Sequence, residues 1–280
     1  MSDQVSVLQA ALYGVVQGLT EFLPISSTAH LRILQAWMNP DVDQPGFTAF
    51  TAVIQLGTMA AVVLFFWREL LHVSVAWLRG LFDQRVRGTL EYRMGWYLIL
   101  ATIPVGVFGL IFSHQIETGA RNLWLIASAL IVLALVLLVA ERRGAQNRTE
   151  EDITTRDALV VGLAQSLALV PGVSRSGATI TAGLFQGLDR VTAARFSFLM
   201  SVPAVVASGL FEARRIGGSG APGMGVTVVA TVISFGVGLA SIAWLLRFVS
   251  RHSTMTFIAY RVALGVLLLG LLAGGAVSAT

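Results

Sequence analysis

The sequence predicts an all-α polytopic membrane protein with six transmembrane helices plus two re-entrant helical hairpins, arranged as an inverted-topology repeat. Three observations carry that expectation. Mean hydropathy is +0.77, and only 12% of the 280 residues are charged, against about a quarter in soluble domains. Six apolar stretches reach the roughly 18 residues that mark a spanning helix. Two further apolar stretches are each broken by a proline and a polar run, PISSTAH from Pro24 to His30 and PGVSRSGAT from Pro171 to Thr179.

Taken in order, residues 5–23 read as a span until Glu21 and then Pro24 interrupt them. A charge at the centre of a spanning helix costs at least about 2.5 kcal/mol. Irregular backbone at membrane depth persists only where protein or water covers it, so a re-entrant hairpin is the expected form. Spans follow at 50–67, 95–112 and 123–140; residues 158–188 repeat the broken hairpin, and spans at 196–213, 225–249 and 257–277 complete the chain. Residues 1–31 contain no Lys or Arg, so a cleaved secretory signal with a positive n-region is not expected.

All nineteen basic residues are arginine and there is no cysteine, which excludes a disulfide framework, thiolate metal sites and a thiol nucleophile. Residues 68–93 carry five arginines, residues 141–157 carry four, and Arg247 and Arg251 follow the fifth span. The positive-inside rule places these segments in the cytoplasm and both termini outside, with Arg121, Arg214 and Arg215 in the opposite loops. The pI near 10.3 therefore reflects topology, and nucleic acid is not an expected partner.

A shift of 148 positions superposes Gln17 on Gln165, Leu19 on Leu167, Ser26 on Ser174, Phe50 on Phe198 and Trp96 on Trp244. Residues 1–280 thus read as one membrane domain, with a first repeat in 1–140 and a second in 155–280, each a broken hairpin followed by three spans. An odd number of spans inverts the second copy, and the two hairpin tips are expected to meet near the middle of the membrane.

Joined, the tips supply Glu21, Ser26, Ser27, Thr28 and His30 from one side and Ser174, Arg175, Ser176 and Thr179 from the other. The second set suits an anion. Arg175 presents a planar fork of donors that matches phosphate, the hydroxyls add donors, and a helix starting in this run would contribute its amides and dipole. The first set suits chemistry: His30 lies close enough along a turn to activate a hydroxyl, and Glu21 can orient the imidazole, activate a nucleophile or ligate a divalent cation. Together they describe a phosphoryl-transfer site, and the lipid surroundings suggest a lipid phosphate ester or anhydride.

Plainer readings compete. The hydroxyls after Pro24 serve equally as helix N-caps, His30 and Arg32 as interfacial residues, and Arg175 as one more cytoplasmic-side charge. Arg261 is expected to snorkel to the interface, Arg190 and Arg195 to be loop charges, and Gly265 and Gly270 to pack helices. Two facing broken helices also describe a secondary transporter or flippase of an anionic lipid or solute. In that reading Arg175 and Glu21 bind the cargo, and the pairing of Ser27 with His30 has no purpose.

The sequence resembles the undecaprenyl-pyrophosphate phosphatase (bacitracin-resistance protein) family through AALYGVVQGLTEFLPISSTAH, FTAVIQLGTMAAVVLFFWR, PGVSRSGATI and FSFLMSVPA, which are spread along the chain. The resemblance implies hydrolysis of undecaprenyl pyrophosphate to undecaprenyl phosphate and inorganic phosphate, recycling the lipid carrier for peptidoglycan synthesis. It further implies a divalent cation, Mg2+ or Ca2+, in the bacterial inner membrane and a site opening to the periplasmic side. Carried over by position, the acidic motif falls on Gln17 and Glu21, the serine-histidine motif on Ser26, Ser27, Thr28 and His30, and the arginine motif on Ser174, Arg175, Ser176 and Thr179. The sequence departs from the family pattern at Gln17, where a carboxylate is expected, which leaves Glu21 as the metal-binding carboxylate. The implied catalytic set is Glu21, Ser27, His30 and Arg175, with Ser27, His30 or water left open as the nucleophile. The expected partners are the lipid diphosphate and membrane lipid, with a homodimer left open.

Overall fold

The structure, a computed structural model, describes residues 5–38, 44–112, 122–213 and 223–277. Arg121, Arg214 and Arg215 of the expected outer loops lie outside them. The described residues form eleven α-helices and no strand: α1 (Val7–Thr20), α2 (Ser27–Met38), α3 (Gln44–Phe65), α4 (Trp67–Phe82), α5 (Leu90–Ile111), α6 (Leu123–Arg143), α7 (Thr155–Ser166), α8 (Arg175–Phe185), α9 (Arg190–Ala213), α10 (Met224–Val249) and α11 (Met255–Ala273). Helices α5, α6, α10 and α11 are each long and apolar enough to cross a membrane, and α3 with α4 makes a fifth candidate, bent by 75° at its break. Leu110, Val132, Val232 and Val266 stand exposed on these helices, an outer surface that suits lipid and not water. The chain is a multi-pass helical membrane protein.

The expected span at 50–67 ends in that bend, and the expected loop at 68–93 is helical over most of its length. Within α4 the apolar residues recur with helical spacing, burying Val73 while Leu71, Leu78 and Phe82 stay exposed.

Small residues let the breaks sit close to the long helices. Helix α1 packs on α10 and α7 on α5. A Cβ on Gly14 would come 2.5 Å from the Ala230 carbonyl oxygen, and one on Gly162 would come 2.6 Å from that of Ala101. Backbones approach this closely only where side chains are minimal. Gly265 does the same for α11 against α6, where a Cβ would meet Ile131 at 2.6 Å, whereas Gly270 faces open space and has no packing role.

The arginines read as loop charges are paired. Arg190 donates to Glu141 (2.8 Å), which also accepts from Thr254 (2.8 Å); Arg195 bridges Glu69 (2.6 Å) and Glu150. Arg148 grips buried Asp157 through both carboxylate oxygens at 3.0 and 2.6 Å, and the same carboxylate caps α7 by accepting from the backbone and hydroxyl of Thr154. Burial alone would push the Asp157 carboxyl up, but the hydrogen bonds from Arg148 and Thr154 outweigh it and hold it below its ordinary value. That stabilisation is complete above the ordinary carboxylate range and is lost as pH falls through the lowered native value. Asp157→Asn is expected to destabilise the protein by about 2–3 kcal/mol, measured as a fall in detergent unfolding temperature at neutral pH.

Candidate functional site

Each break is a helical hairpin whose second arm begins on a strained serine. Ser26 has φ 75° and Ser174 φ 72°, a region that costs a non-glycine residue about 1–3 kcal/mol. In both, the hydroxyl caps the helix that follows. Ser26 Oγ accepts from Ala29 N at 3.3 Å, and Ser174 Oγ from Gly177 N at 3.1 Å. Helices α2 and α8 therefore start at Ser27 and Arg175, with their positive dipole ends at the tips.

These two first residues converge on one buried carboxylate. Ser27 Oγ donates to Glu21 Oε2 at 2.8 Å, and Arg175 Nη2 donates to Glu21 Oε1 at 2.7 Å. Gln17 Nε2 adds a bond to Oε2 and Gln55 Nε2 one to Oε1, both at 3.0 Å. Glu21 is 6% exposed, so four donors replace its hydration and keep a charge tolerable there. Arg175 Nη1 is buried with no hydrogen-bond partner among the described residues. A guanidinium in this setting holds one donor in reserve for an anionic ligand.

The predicted residues are thus brought together, with some changes of partner. Ser27 pairs with Glu21 and not with His30. The His30 ring instead bonds the Ser26 carbonyl through Nδ1 (2.7 Å) and the Tyr260 hydroxyl through Nε2 (2.6 Å). The hydroxyls of Ser174 and Ser176 lie 3.2 Å apart, and Ser176 Oγ donates to the Leu23 carbonyl at 2.9 Å, tying one tip to the other. Thr179 is fully buried, its hydroxyl 2.6 Å from Ser197 Oγ and 2.8 Å from the Arg175 carbonyl. It therefore braces the start of α8 from behind. Thr28 is exposed on the first turn of α2.

Three residues join the site that the sequence alone does not place there. Gln55 sat inside an apolar span. Tyr260 had no distinguishing mark. Arg261 was expected to snorkel but is 1% exposed. It donates to the carbonyls of Pro24 (3.1 Å) in the first tip, Gly172 (3.2 Å) and Val173 (3.0 Å) in the second, and Leu130 (3.1 Å) and Ala129 (3.4 Å) of α6. The one signal available was a charge several residues inside a span, which points to function by default.

Among the described residues no group of three or more His, Cys, Asp or Glu could hold a metal ion. Gln17 and Gln55 turn their amide nitrogens to Glu21, so their oxygens would join it around a cation such as Mg2+, which takes one or two carboxylates and completes its shell with phosphates and water, only with both amides flipped. The set does not fit an all-protein cage.

Fold and site together define an integral membrane protein whose polar centre lies where two broken helical hairpins meet. The chain belongs to the bacitracin resistance protein BacA family, which it matches over residues 10–267. Similar proteins include the undecaprenyl-diphosphatase of Nocardia farcinica, 48% identical with all of both chains covered, and that of Mycobacterium ulcerans, 51% identical over 97% of this chain and 99% of the relative. The undecaprenyl-diphosphatase of Mycolicibacterium smegmatis is 51% identical over 98% of this chain and 99% of the relative.

Proposed function

We propose that the protein hydrolyses undecaprenyl pyrophosphate to undecaprenyl phosphate and inorganic phosphate, returning the lipid carrier to peptidoglycan synthesis. The observation that carries the reading is the convergence of Ser27 and Arg175, the first residues of α2 and α8, on the two oxygens of Glu21. Nucleophile and anion clamp each stand within hydrogen-bond reach of the proton acceptor.

In this mechanism Arg175 and the N-terminus of α8 receive the diphosphate, and the spare Nη1 of Arg175 donates to it. Ser27 Oγ attacks the terminal phosphorus, its proton passes to Glu21 Oε2, and the bond to the departing lipid phosphate breaks. Water then attacks the phosphoserine, Ser27 recovers its proton from Glu21, and both protons of the water leave with inorganic phosphate. Phosphoryl transfer has a loose transition state, so positioning and charge neutralisation carry most of the rate. Ser174, Ser176 and Thr179 serve that positioning through their bonds within the tips. A divalent cation held by Glu21, with the amide oxygens of Gln17 and Gln55 once turned to it, would neutralise diphosphate charge when bound.

The same reading makes α1–α2 and α7–α8 re-entrant hairpins in an inverted repeat of the inner membrane, with the arginine-rich segments cytoplasmic and the site opening outward. Arms of 14, 12, 12 and 11 residues are too short for the roughly 20 that a crossing needs. The starts of α1 and α7, like those of α2 and α8, are 148 positions apart. Helix pairs α1–α10 and α7–α5 exchange partners between the halves as a two-fold relation requires.

The experiment is phosphate release from undecaprenyl pyrophosphate by purified protein in detergent, with and without EDTA, alongside phosphoenzyme trapping and mapping. Release that EDTA abolishes, with label on Ser27, is the expected result. Label on His30 would transfer the nucleophile's role, and no release from folded protein with any divalent cation would overturn the phosphatase reading.

A further inference from the structure

His30 is held at both ring nitrogens. The Ser26 carbonyl 2.7 Å from Nδ1 can only accept, so Nδ1 carries the proton of the neutral ring and Nε2 is left with the lone pair. Facing that lone pair at 2.6 Å is the hydroxyl of Tyr260, which therefore donates. The two rings lie nearly parallel, 7° apart in plane with centroids 5.6 Å apart, so stacking fixes the phenol in the direction the hydrogen bond needs. The carbonyl on Nδ1 belongs to the peptide that joins Ser26 to Ser27, and the backbone nitrogen of His30 donates to the same oxygen at 3.4 Å. Through this carbonyl the imidazole is tied to the strained turn that aims Ser27 at Glu21.

From this arrangement we propose that Tyr260 is a positioning residue for the reaction: with the Nδ1–H tautomer of His30 set by the Ser26 carbonyl, Tyr260 anchors the other ring nitrogen in either protonation state and thereby keeps the imidazole on the Ser26–Ser27 peptide beneath the nucleophile. The inference rests on the phosphatase reading for its kinetic consequence, but not for its structural one. In the alternative tautomer the proton sits on Nε2 and a bare Nδ1 faces the Ser26 carbonyl, lone pair to lone pair. That contact repels and loosens the turn. A tyrosine hydroxyl can also accept, so when His30 becomes doubly protonated the Tyr260 O–H rotates away and its oxygen receives Nε2–H with the heavy atoms unmoved. Tyr260 is 44% exposed, which leaves its oxygen able to exchange protons with the medium. The pair thus passes a proton to or from the ring while the turn stays fixed.

Tyr260→Phe keeps the ring and its stacking and removes only the hydroxyl. With 15N-histidine labelling and His30→Gln to assign the signal among the four histidines, the parent is expected to show His30 as a single Nδ1–H tautomer near neutral pH. Tyr260→Phe is expected to keep that tautomer but to move the Nε2 resonance, which loses its hydrogen bond, and its kcat for phosphate release is expected to fall about tenfold with KM changed less than twofold and the unfolding temperature unchanged. Tyr260→Leu, which also loses the stack, is expected to fall further. Parent kcat in Tyr260→Phe, or an unchanged Nε2 resonance, overturns the proposal and reduces Tyr260 to packing. Absence of phosphate release in the parent defeats the phosphatase reading instead, and the Nε2 measurement still decides the role of Tyr260.

Discussion

Arg175→Lys is expected to leave the fold intact and to lower kcat/KM for phosphate release by about 10²–10³-fold. The charge is conserved, so the loss comes from geometry. In the parent, one guanidinium nitrogen holds Glu21 at 2.7 Å while the other is buried without a partner; the planar fork lets one side chain serve the carboxylate and the incoming diphosphate at once. A lysine ammonium is a single point at the end of a shorter chain, and it serves one or the other. If it stays on Glu21, the diphosphate loses its donor; if it reaches for the diphosphate, Glu21 is left buried with fewer donors. Comparing kcat/KM with the detergent unfolding temperature separates these effects from misfolding. A lysine variant within about threefold of the parent would mean that Arg175 only ties α8 to α1, and that another group receives the phosphate.

Much of this site is legible in the sequence because buried polarity is costly. Glu21, Arg175 and the serines stand out against apolar surroundings, and the prolines at 24 and 171 announce that the helices break there. The pairing of Ser27 is not legible. It lies three residues from His30 and six from Glu21, and on a helix the nearer partner is the natural expectation. The backbone at Ser26 turns through positive φ, however, so Ser27 opens α2 facing back to Glu21 while His30 folds onto the Ser26 carbonyl. No residue pattern announces that turn, since serine rarely adopts it. Gln55 was missed for a different reason: an amide within a span is a weak signal until the partner is known, and its partner is 34 positions away. The bend at Phe66 is tertiary as well, because no proline or glycine stands at it and the pair together is apolar enough for one span.

The largest loss of stability is expected from Arg261→Met, which should lower the stability of the folded protein by about 3–5 kcal/mol and abolish phosphate release. The guanidinium is buried with no carboxylate partner among the described residues; five backbone carbonyls from the two tips and α6 surround it instead. Breaks in helices leave carbonyls unpaired at a depth where water does not reach them, at about 1–3 kcal/mol for each. Arg261 answers that need for both tips with one side chain, and in doing so it sets their spacing. Methionine fills much of the same volume and offers no donor, so the tips must separate or admit water. Arg261→Lys, with three donors and no fork, should fall between parent and methionine. Gly177 supplies the specific check, because a Cβ there would lie 2.8 Å from Arg261 Nη1. Gly177→Ala should therefore displace the guanidinium and resemble a loss of Arg261. In a double-mutant cycle Gly177→Ala should then cost less in the Arg261→Met background than in the parent, because residues in contact do not contribute additively. Additive losses would show that Gly177 serves only the start of α8. An Arg261→Met protein with parental stability and activity would show that the tips hold each other through Ser176 and Glu21 without it.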